Sequence, residues 1–195
     1  MMRGLYGIAD ASFGDPVRLG RHLLAGGASV LQLRAKGWEA ARVAEALSAL
    51  RPACRAAGVP LLVNDHAELA GLCDGLHLGQ GDGPLPSTGL RGRSTHSLEQ
   101  LRAALDEGVD YVGFGPVFST STKLDADPVR GLELLARVVR ASPVPVVAIG
   151  GIEVCRLPAL RATGVRCWAV ISAILSAPDP KAAARLYVEG SPGSA

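Results

Sequence analysis

Aromatic residues are scarce in this chain, at 4% of its 195 positions, so a core must be built from aliphatic side chains. Hydrophobic residues reach 48%, yet no apolar run approaches the roughly 20 residues that a membrane-spanning helix needs. An excess of one charge is also missing, because the net charge is +2 and the basic residues are scattered. A nucleic-acid-binding surface would cluster lysine and arginine. We therefore expect neither a nucleic-acid nor a membrane partner.

Closely spaced cysteines are absent as well. The four cysteines are Cys54, Cys73, Cys155 and Cys167. Their spacing suggests neither a zinc site nor a disulfide framework, and no signal peptide is recognised before them. We expect reduced thiols in a cytoplasmic protein.

Short apolar runs alternate with amphipathic segments along almost the whole chain. The runs are rich in Val, Leu and Ile, as in parallel strands that are buried on both faces. They cover Leu5–Ala9, Ser29–Arg34, Pro60–Asn64, Gly75–Gly79, Gly92–Thr95, Tyr111–Gly115, Pro145–Gly150 and Arg166–Ile171. The predicted helices are Pro16–Ala25, Glu39–Ala57, Glu68–Cys73, Leu98–Glu107, Gly131–Arg140, Val154–Ala162 and Pro180–Glu189. Eight parallel strands with right-handed crossovers can close, so the predicted fold is an α/β (β/α)8 TIM barrel.

The fourth crossover of this barrel is predicted to be shortened. The segment between Gln80 and Arg93 is too rich in glycine and proline to form a helix. A doubly wound open sheet is the alternative fold, but its Gly-rich fingerprint after the first strand is missing. We expect a single barrel domain over residues 1–189 and a flexible tail over residues 190–195.

Polar groups follow most of the predicted strands. In such barrels, the loops that leave the C-terminal ends of the strands carry the chemistry. In chain order these ends are Gln32-Leu-Arg-Ala-Lys36, Asn64-Asp65, Gly79-Gln-Gly-Asp82, Ser94-Thr-His96, Thr120 with Thr122 and Lys123, Gly150-Gly151, and Ile171-Ser172. Each group alone is also typical of a turn or a helix cap, but together they indicate a site on one rim.

The charges on this rim indicate a diphosphate ligand. Arg34, Lys36 and Lys123 supply far more positive charge than a neutral ligand would need. Asp65 and Asp82 would repel a diphosphate unless a divalent cation lay between them. The sequence therefore predicts that these two carboxylates bind Mg²⁺.

These motifs resemble those of the thiamine phosphate synthase family. The resemblance spans residues 5 to about 180, with the motifs in the family's order. Gln-Leu-Arg-Ala-Lys and Thr-Ser-Thr-Lys are its specific pieces, whereas Ile-Gly-Gly-Ile occurs in many phosphate-binding barrels. The family is a transferase family that joins hydroxymethylpyrimidine diphosphate to a thiazole phosphate and releases pyrophosphate. The resemblance therefore implies these two small-molecule substrates and Mg²⁺; a homo-oligomer is compatible with the sequence.

The resemblance also implies a division of the rim between the two substrates. The pyrimidine diphosphate would be held by Gln32, Leu33, Arg34, Ala35, Lys36, Asn64 and Lys123, with Ser94 beside them. The thiazole phosphate would be held by Thr120, Thr122, Gly151, Ile171 and Ser172. Asp65 and Asp82 would bind the metal. Arg34, Lys36, Lys123 and Ser94 would act in catalysis, which needs preorganised positive charge more than an acid or a base.

The chain departs from the family's pattern at three places. Ala9-Asp10 ends the first strand where Thr-Asp is common, and Ser119 stands where a proline is common. The segment from Gly92 to Glu99 resembles the sister family of thiazole tautomerases, in which the histidine matching His96 transfers protons. One alternative is therefore a tautomerase that uses His96, and another is a phosphate-binding regulator without catalysis. The full set of cations favours the transferase.

Overall fold

Eight short strands close into a barrel in the computed structural model, which describes residues 2–120 and 128–189. The strands are β1 (Gly4–Asp10), β2 (Val30–Arg34), β3 (Leu61–Asn64), β4 (Gly75–Leu78), β5 (Leu90–Thr95), β6 (Tyr111–Phe114), β7 (Val146–Ile149) and β8 (Cys167–Val170). Each strand pairs in parallel with the next, and β8 pairs with β1. The predicted (β/α)8 barrel is confirmed.

Helices surround this barrel. They are α1 (Pro16–Ala25), α2 (Ala40–Ala57), α3 (Leu98–Asp106), α4 (Gly131–Ala141), α5 (Leu157–Ala162), α6 (Ser172–Leu175) and α7 (Pro180–Glu189), and 3₁₀ turns cover Ala11–Phe13, Ala67–Leu72 and Val154–Arg156. No helix lies between β4 and β5, all of whose residues are described, so the shortened fourth crossover is confirmed. The predicted third helix is a 3₁₀ segment, and the sequence reasoning did not foresee α6.

The helix boundaries follow from local capping. Ser97 precedes α3, and its Oγ accepts a hydrogen bond from the Gln100 backbone N–H at 3.1 Å. The Gln100 side chain in turn accepts from the His96 backbone N–H at 2.6 Å. The two bonds form a capping box whose return bond goes to the residue before the N-cap. At the C-terminal end of α2, Gly58 adopts a φ of 65°, and its N–H bonds to the carbonyl groups of the last turn.

Side chains alternate between two layers of core. On β1, Leu5 and Ala9 pack outward against the helices, whereas Tyr6 and Ile8 point into the barrel. The outer layer is almost entirely aliphatic, which explains how a chain with few aromatics builds its core. The inner layer is small and includes polar residues such as Gln32, which is 2% exposed. Polar groups inside the barrel therefore lie directly beneath the rim.

Some predictions fall outside the described residues. Thr122, Lys123 and the predicted tail 190–195 belong to this group. Within residues 2–120 and 128–189, no helix has both the length and the apolar character needed to cross a bilayer. The assignment of residues 1–189 to one domain stays a prediction.

Candidate active site

A cavity of about 440 Å³ opens between the C-terminal ends of β5, β6, β7 and β8. Among the predicted site residues, it brings together Ser94, Thr120, Gly151, Ile171 and Ser172. The side of the rim that was expected to hold a thiazole phosphate is therefore a real concave surface. Its walls carry hydroxyl groups and backbone, and His96 lies among them.

Small residues create this cavity. Gly113 on β6 and Gly115 directly after it both line the cavity wall, where neither adds a side chain. A Cβ on Gly115 would lie 2.2 Å from the carbonyl oxygen of Ile149, and one on Gly151 would lie 2.2 Å from the carbonyl oxygen of Ser119. The loops after β6 and β7 thus pack backbone against backbone, and no larger residue fits either glycine position.

One carboxylate lines the same cavity and was missed by sequence reasoning. Glu153 is part of the wall, where it would oppose an anionic ligand. Its Oε1 lies 3.3 Å from Nη2 of Arg156, which also donates through Nη1 to the carbonyl oxygen of Gly151 at 2.8 Å. Arg156 therefore offsets the Glu153 charge and ties it to the glycine loop.

On the opposite side of the rim, Arg34 is held by Asp10. Nη1 of Arg34 donates to Oδ2 of Asp10 at 2.6 Å, and the Asp10 side chain is only 3% exposed. Oδ1 of Asp10 accepts from both the backbone N–H and the hydroxyl of Ser12. Asp10 is a functional candidate that sequence reasoning noted only as a departure. The register between β1 and β2 would have revealed it, because Asp10 and Arg34 lie directly opposite each other on these strands.

The two predicted metal ligands belong to one electrostatic cluster. Loss of solvent around the Asp65 carboxyl raises its pKa, and the neighbouring Asp82 charge raises it further. The charges of Arg34 and Lys36 lower the same pKa, so the Asp65 carboxyl lies within reach of both cations and of Asp82. Asp65 also has a φ of +66°, in the left-handed region that few non-glycine residues adopt. Oδ2 of Asp82 accepts a hydrogen bond from the backbone N–H of Gly79 at 2.6 Å, which fixes this carboxylate within its own loop.

These carboxylates fit a cation that keeps few protein ligands. In the described part of the chain, no group of three or more His, Cys, Asp or Glu side chains could hold a metal ion. Mg²⁺ is commonly held by one or two carboxylates together with phosphate oxygens and water. The raised pKa of Asp65 beside Asp82 is also the electrostatic setting that a divalent cation would relieve.

The remaining predicted residues on and after β2 and β3 differ in whether their side chains point into the barrel or outward. Gln32 and Asn64 point inward and share a 3.0 Å bond from Gln32 Nε2 to Asn64 Oδ1. Leu33 and Ala35 are 0% and 3% exposed in the outer aliphatic core, so only their backbone could contact a ligand. Lys36 lies exposed beyond the strand end. Thr122 and Lys123 lie outside the described residues.

Comparison with known proteins agrees with this geometry. The sequence model of the family described as thiamine monophosphate synthase matches residues 5–174. The chain belongs to this family. A thiamine-phosphate synthase from Anaeromyxobacter dehalogenans is 47% identical, covering 93% of this chain and 84% of its relative. One from Methanocella arvoryzae is 40% identical, covering 95% and 93%. A solved thiamine phosphate pyrophosphorylase from Pyrococcus furiosus superposes with a TM-score of 0.88 at 33% identity, covering 96% of this chain and 94% of its own.

Membership of the thiamine monophosphate synthase family makes the departures informative. Ala9 is 0% exposed in the outer core, so the change at this position alters packing rather than the rim. The next residue, Asp10, is the one that holds Arg34. Ser119 is exposed and lines the cavity, where it adds another hydroxyl.

His96 is bound to backbone. Its Nδ1 donates to the carbonyl oxygen of Gly115, and its own backbone N–H is part of the α3 cap. These bonds account for a histidine at this position without proton transfer. The ring also lines the cavity, beside Ser94 and Gly115.

Proposed function

We propose that this chain is a transferase that condenses hydroxymethylpyrimidine diphosphate with a thiazole phosphate, giving thiamine phosphate and pyrophosphate. One observation carries the proposal: the charges of Asp82, Arg34 and Lys36 act on the Asp65 carboxyl at one part of the rim, whereas the cavity opens between the ends of β5 and β8. A charged leaving group and an uncharged reacting ring need these two different environments.

Arg34 and Lys36 are proposed to bind the diphosphate. Arg34 is preorganised by its 2.6 Å bond to Asp10, so less side-chain freedom is lost when a ligand binds. Lys36 is exposed and can approach a phosphoryl group as a mobile point charge. From the sequence, Lys123 joins them on the leaving group, and Thr122 joins the second phosphate site.

Asp65 and Asp82 are proposed to hold Mg²⁺ against the same diphosphate. The mutual effect of the two carboxylates on the pKa of Asp65 supports their pairing. When bound, the metal supplies positive charge that stabilises the departing pyrophosphate. The backbone N–H of Gly79 holds Oδ2 of Asp82, which leaves Oδ1 to bind the metal.

The thiazole phosphate is proposed to occupy the cavity. Gly151 allows the backbone to approach a phosphate closely, and Thr120 and Ser172 contribute hydroxyls from the segments that follow β6 and β8. In barrels of this type, the loops after the seventh and eighth strands often bind phosphate. Ile171 supplies an apolar contact in the same wall.

The proposed chemistry is dissociative. The carbon–oxygen bond to pyrophosphate breaks, the leaving group keeps the electron pair, and the thiazole nitrogen attacks the resulting pyrimidinylmethyl cation. The chain's task is to hold charge and geometry in place, so no nucleophilic side chain is needed. We also propose that the protein works in the cytoplasm, which the four free cysteines support.

A single assay tests the proposal. The purified protein is supplied with both substrates and Mg²⁺, and thiamine phosphate and pyrophosphate are quantified together. Equal amounts of the two products are expected, and neither should form when one substrate is omitted. Isomerisation of a thiazole carboxylate phosphate without any pyrophosphate would instead support the tautomerase. Tight binding of both substrates without turnover would support the regulator.

A further inference from the structure

Six side chains inside the barrel form one continuous hydrogen-bonded chain. It runs from the cavity wall through β4, β6, β1 and β2 to the rim at β3. We call it the inner polar chain; its members in order are Ser94, His77, Tyr111, Tyr6, Gln32 and Asn64. The five links measure 3.0, 2.9, 2.8, 2.7 and 3.0 Å in the same order. Both of its ends, Ser94 and Asn64, are residues that the family resemblance places at the pyrimidine diphosphate.

The two tyrosines give this chain a direction. Burial raises the pKa of both phenols, so each keeps its proton and donates one hydrogen bond. Tyr6 donates to Oε1 of Gln32, which can only accept. Its proton is then used, so Tyr111 must donate to the Tyr6 oxygen.

The same count fixes the tautomer of the histidine. Tyr111 donates its only hydroxyl hydrogen to Tyr6, so its oxygen accepts a hydrogen bond from Nδ1–H of His77. In a neutral imidazole the other nitrogen, Nε2, is then an acceptor, and the Ser94 hydroxyl donates to it at 3.0 Å. All five links therefore point from Ser94 toward Asn64. With His77 neutral, the reverse sense would require the Gln32 and Asn64 amides both to be turned over, because a mixed arrangement of neutral groups sets two donors or two acceptors face to face.

The packing makes this arrangement stiff. Tyr6 and Tyr111 are 2% and 1% exposed, and the rings of His77 and Tyr111 stack with centroids 5.5 Å apart. The Tyr111 ring fits only because residue 92 is glycine, where an added Cβ would lie 2.1 Å from Cζ of that ring. Gly92 therefore helps to hold the phenol where it can bond to both neighbours.

We infer that His77, kept in the Nδ1–H tautomer by Tyr111 and Tyr6, fixes the Ser94 hydroxyl so that its oxygen presents only lone pairs to the cavity. Ser94 then accepts a hydrogen bond from an N–H or O–H group of the ligand. It does not donate to a phosphoryl oxygen. His77, Tyr111 and Tyr6 are positioning residues that act through Ser94 and Gln32. The catalytic consequence rests on the proposed function, whereas the tautomer does not.

The tautomer is tested by nitrogen-15 NMR of the imidazole rings, which distinguishes a protonated from an unprotonated nitrogen. The chain has four histidines, so the His77 signals are assigned by their loss in His77→Gln. We expect a protonated Nδ1 and an unprotonated Nε2 in the wild-type protein near neutral pH. A protonated Nε2, with either form of Nδ1, would overturn the inference. This measurement needs no enzymatic activity.

The direction is tested by removing single hydroxyls. Tyr111→Phe should release the His77 tautomer into a mixture, and Tyr6→Phe should shift it in the same sense because Tyr111 loses its acceptor. The matched control is Tyr187→Phe, which removes a buried phenol that donates to the Ile152 carbonyl outside the inner polar chain. It should leave the His77 signals unchanged. Equal shifts in all three variants would mean that the tyrosines act only through general packing.

Turnover supplies the second readout. In the assay of the proposed reaction, Tyr111→Phe should lower kcat about tenfold while the KM for thiazole phosphate changes less than twofold. Combined with Ser94→Ala, it should cause no further loss, because it acts through the hydroxyl that is already gone. Additive losses would contradict positioning through Ser94. If no turnover occurs in the wild type, the proposed function fails, and the NMR result still decides the tautomer.

Discussion

The two halves of the barrel rim differ in what their strand ends carry. Those of β1 to β4 carry charges, including the Asp10–Arg34 pair and the Asp65–Asp82 carboxylates. Those of β5 to β8 carry mainly glycines and hydroxyls around an open cavity, where the charge of Glu153 is offset by Arg156. A rim with evenly distributed charge would bind two phosphorylated ligands with no preference for either half. This separation instead places ionisation chemistry on one half and an acceptor ring on the other, with Ser94 and His96 at the boundary.

The largest expected effect comes from the charged half. Asp65→Asn keeps a side chain that tolerates the φ of +66° but removes the charge that Mg²⁺ would bind. Turnover should fall by about 10²-fold or more, because the leaving group loses its main counter-charge. Steady-state kinetics with a Mg²⁺ titration measures this loss, and EDTA should silence the wild type reversibly. Full wild-type activity without metal would contradict the assignment of these carboxylates.

The same substitution, Asp65→Asn, should lower turnover but should not lower the stability of the fold. A carboxyl whose pKa is raised in the folded state costs stability once it ionises, so the cost is absent below its unfolded pKa of about 3.9. It grows as pH rises through the raised folded value and then stays constant. Without Mg²⁺ at neutral pH, Asp65→Asn should therefore unfold at equal or higher urea concentration than the wild type. The difference should vanish near pH 3.5, and a clear loss of stability at neutral pH would show that the carboxylate supports the fold.

The next effect separates two cations of the same half. Arg34→Ala and Lys36→Ala should each weaken binding of the pyrimidine diphosphate by about 1.5–3 kcal/mol, the worth of a hydrogen bond to a charged group. Only Arg34→Ala should also lower the free energy of unfolding, because it leaves the buried Asp10 carboxylate without its cation. Lys36 is exposed and serves as the matched control. Calorimetry for binding and urea melts for stability check both parts; equal stability losses would show that the Asp10 pair is unimportant.

A smaller effect is expected in the cavity half. Ser172→Ala removes one hydroxyl that is proposed to contact the thiazole phosphate, so the KM for that substrate should rise about tenfold. The KM for the pyrimidine diphosphate should stay within twofold of the wild-type value. Ser176→Ala, which removes another hydroxyl from the same wall outside the predicted set, is the control. If Ser172→Ala raises both KM values alike, the two halves do not bind separate substrates.

The fold could be predicted because its signals are local and repeated. The apolar runs and the breakers after Gln80 lie in short stretches of sequence, and they predicted the eight strands and the missing fourth helix. The site was harder because it depends on which residues face one another across strands. Asp10 and Arg34 stand 24 positions apart and meet only through the β1–β2 register. Tyr6 and Tyr111 are separated by 105 positions, and each looks like ordinary core within its own strand.

Alternation along the strands would have recovered part of this. On β1 and β2, Tyr6 and Gln32 occupy positions whose side chains point into the barrel, as does His77 on β4. A polar residue at such a position needs a partner inside the barrel, so an inner network was foreseeable. Its direction was not, because the order of the links depends on distances that only the closed barrel sets.

The smallest expected effect lies at the boundary between the halves, at His96. Proton transfer on a thiazole would need this ring to titrate, whereas departure of pyrophosphate needs no proton from it. The Nδ1 of His96 is already committed to the Gly115 carbonyl oxygen, which favours a structural role. His96→Gln should therefore retain at least about a tenth of the wild-type coupling rate, a loss below roughly 1.4 kcal/mol in the barrier. The measurement is kcat in the two-substrate assay, with Gln100→Ala as the control that removes the α3 cap bond to the His96 backbone but keeps the ring. If both variants lose activity equally, the loss reflects the local structure at the start of α3 and not the chemistry of the ring. A far larger loss in His96→Gln, together with isomerisation of a thiazole carboxylate by the wild type, would show that His96 transfers protons. The division of the rim into a leaving-group half and an acceptor half would then be wrong.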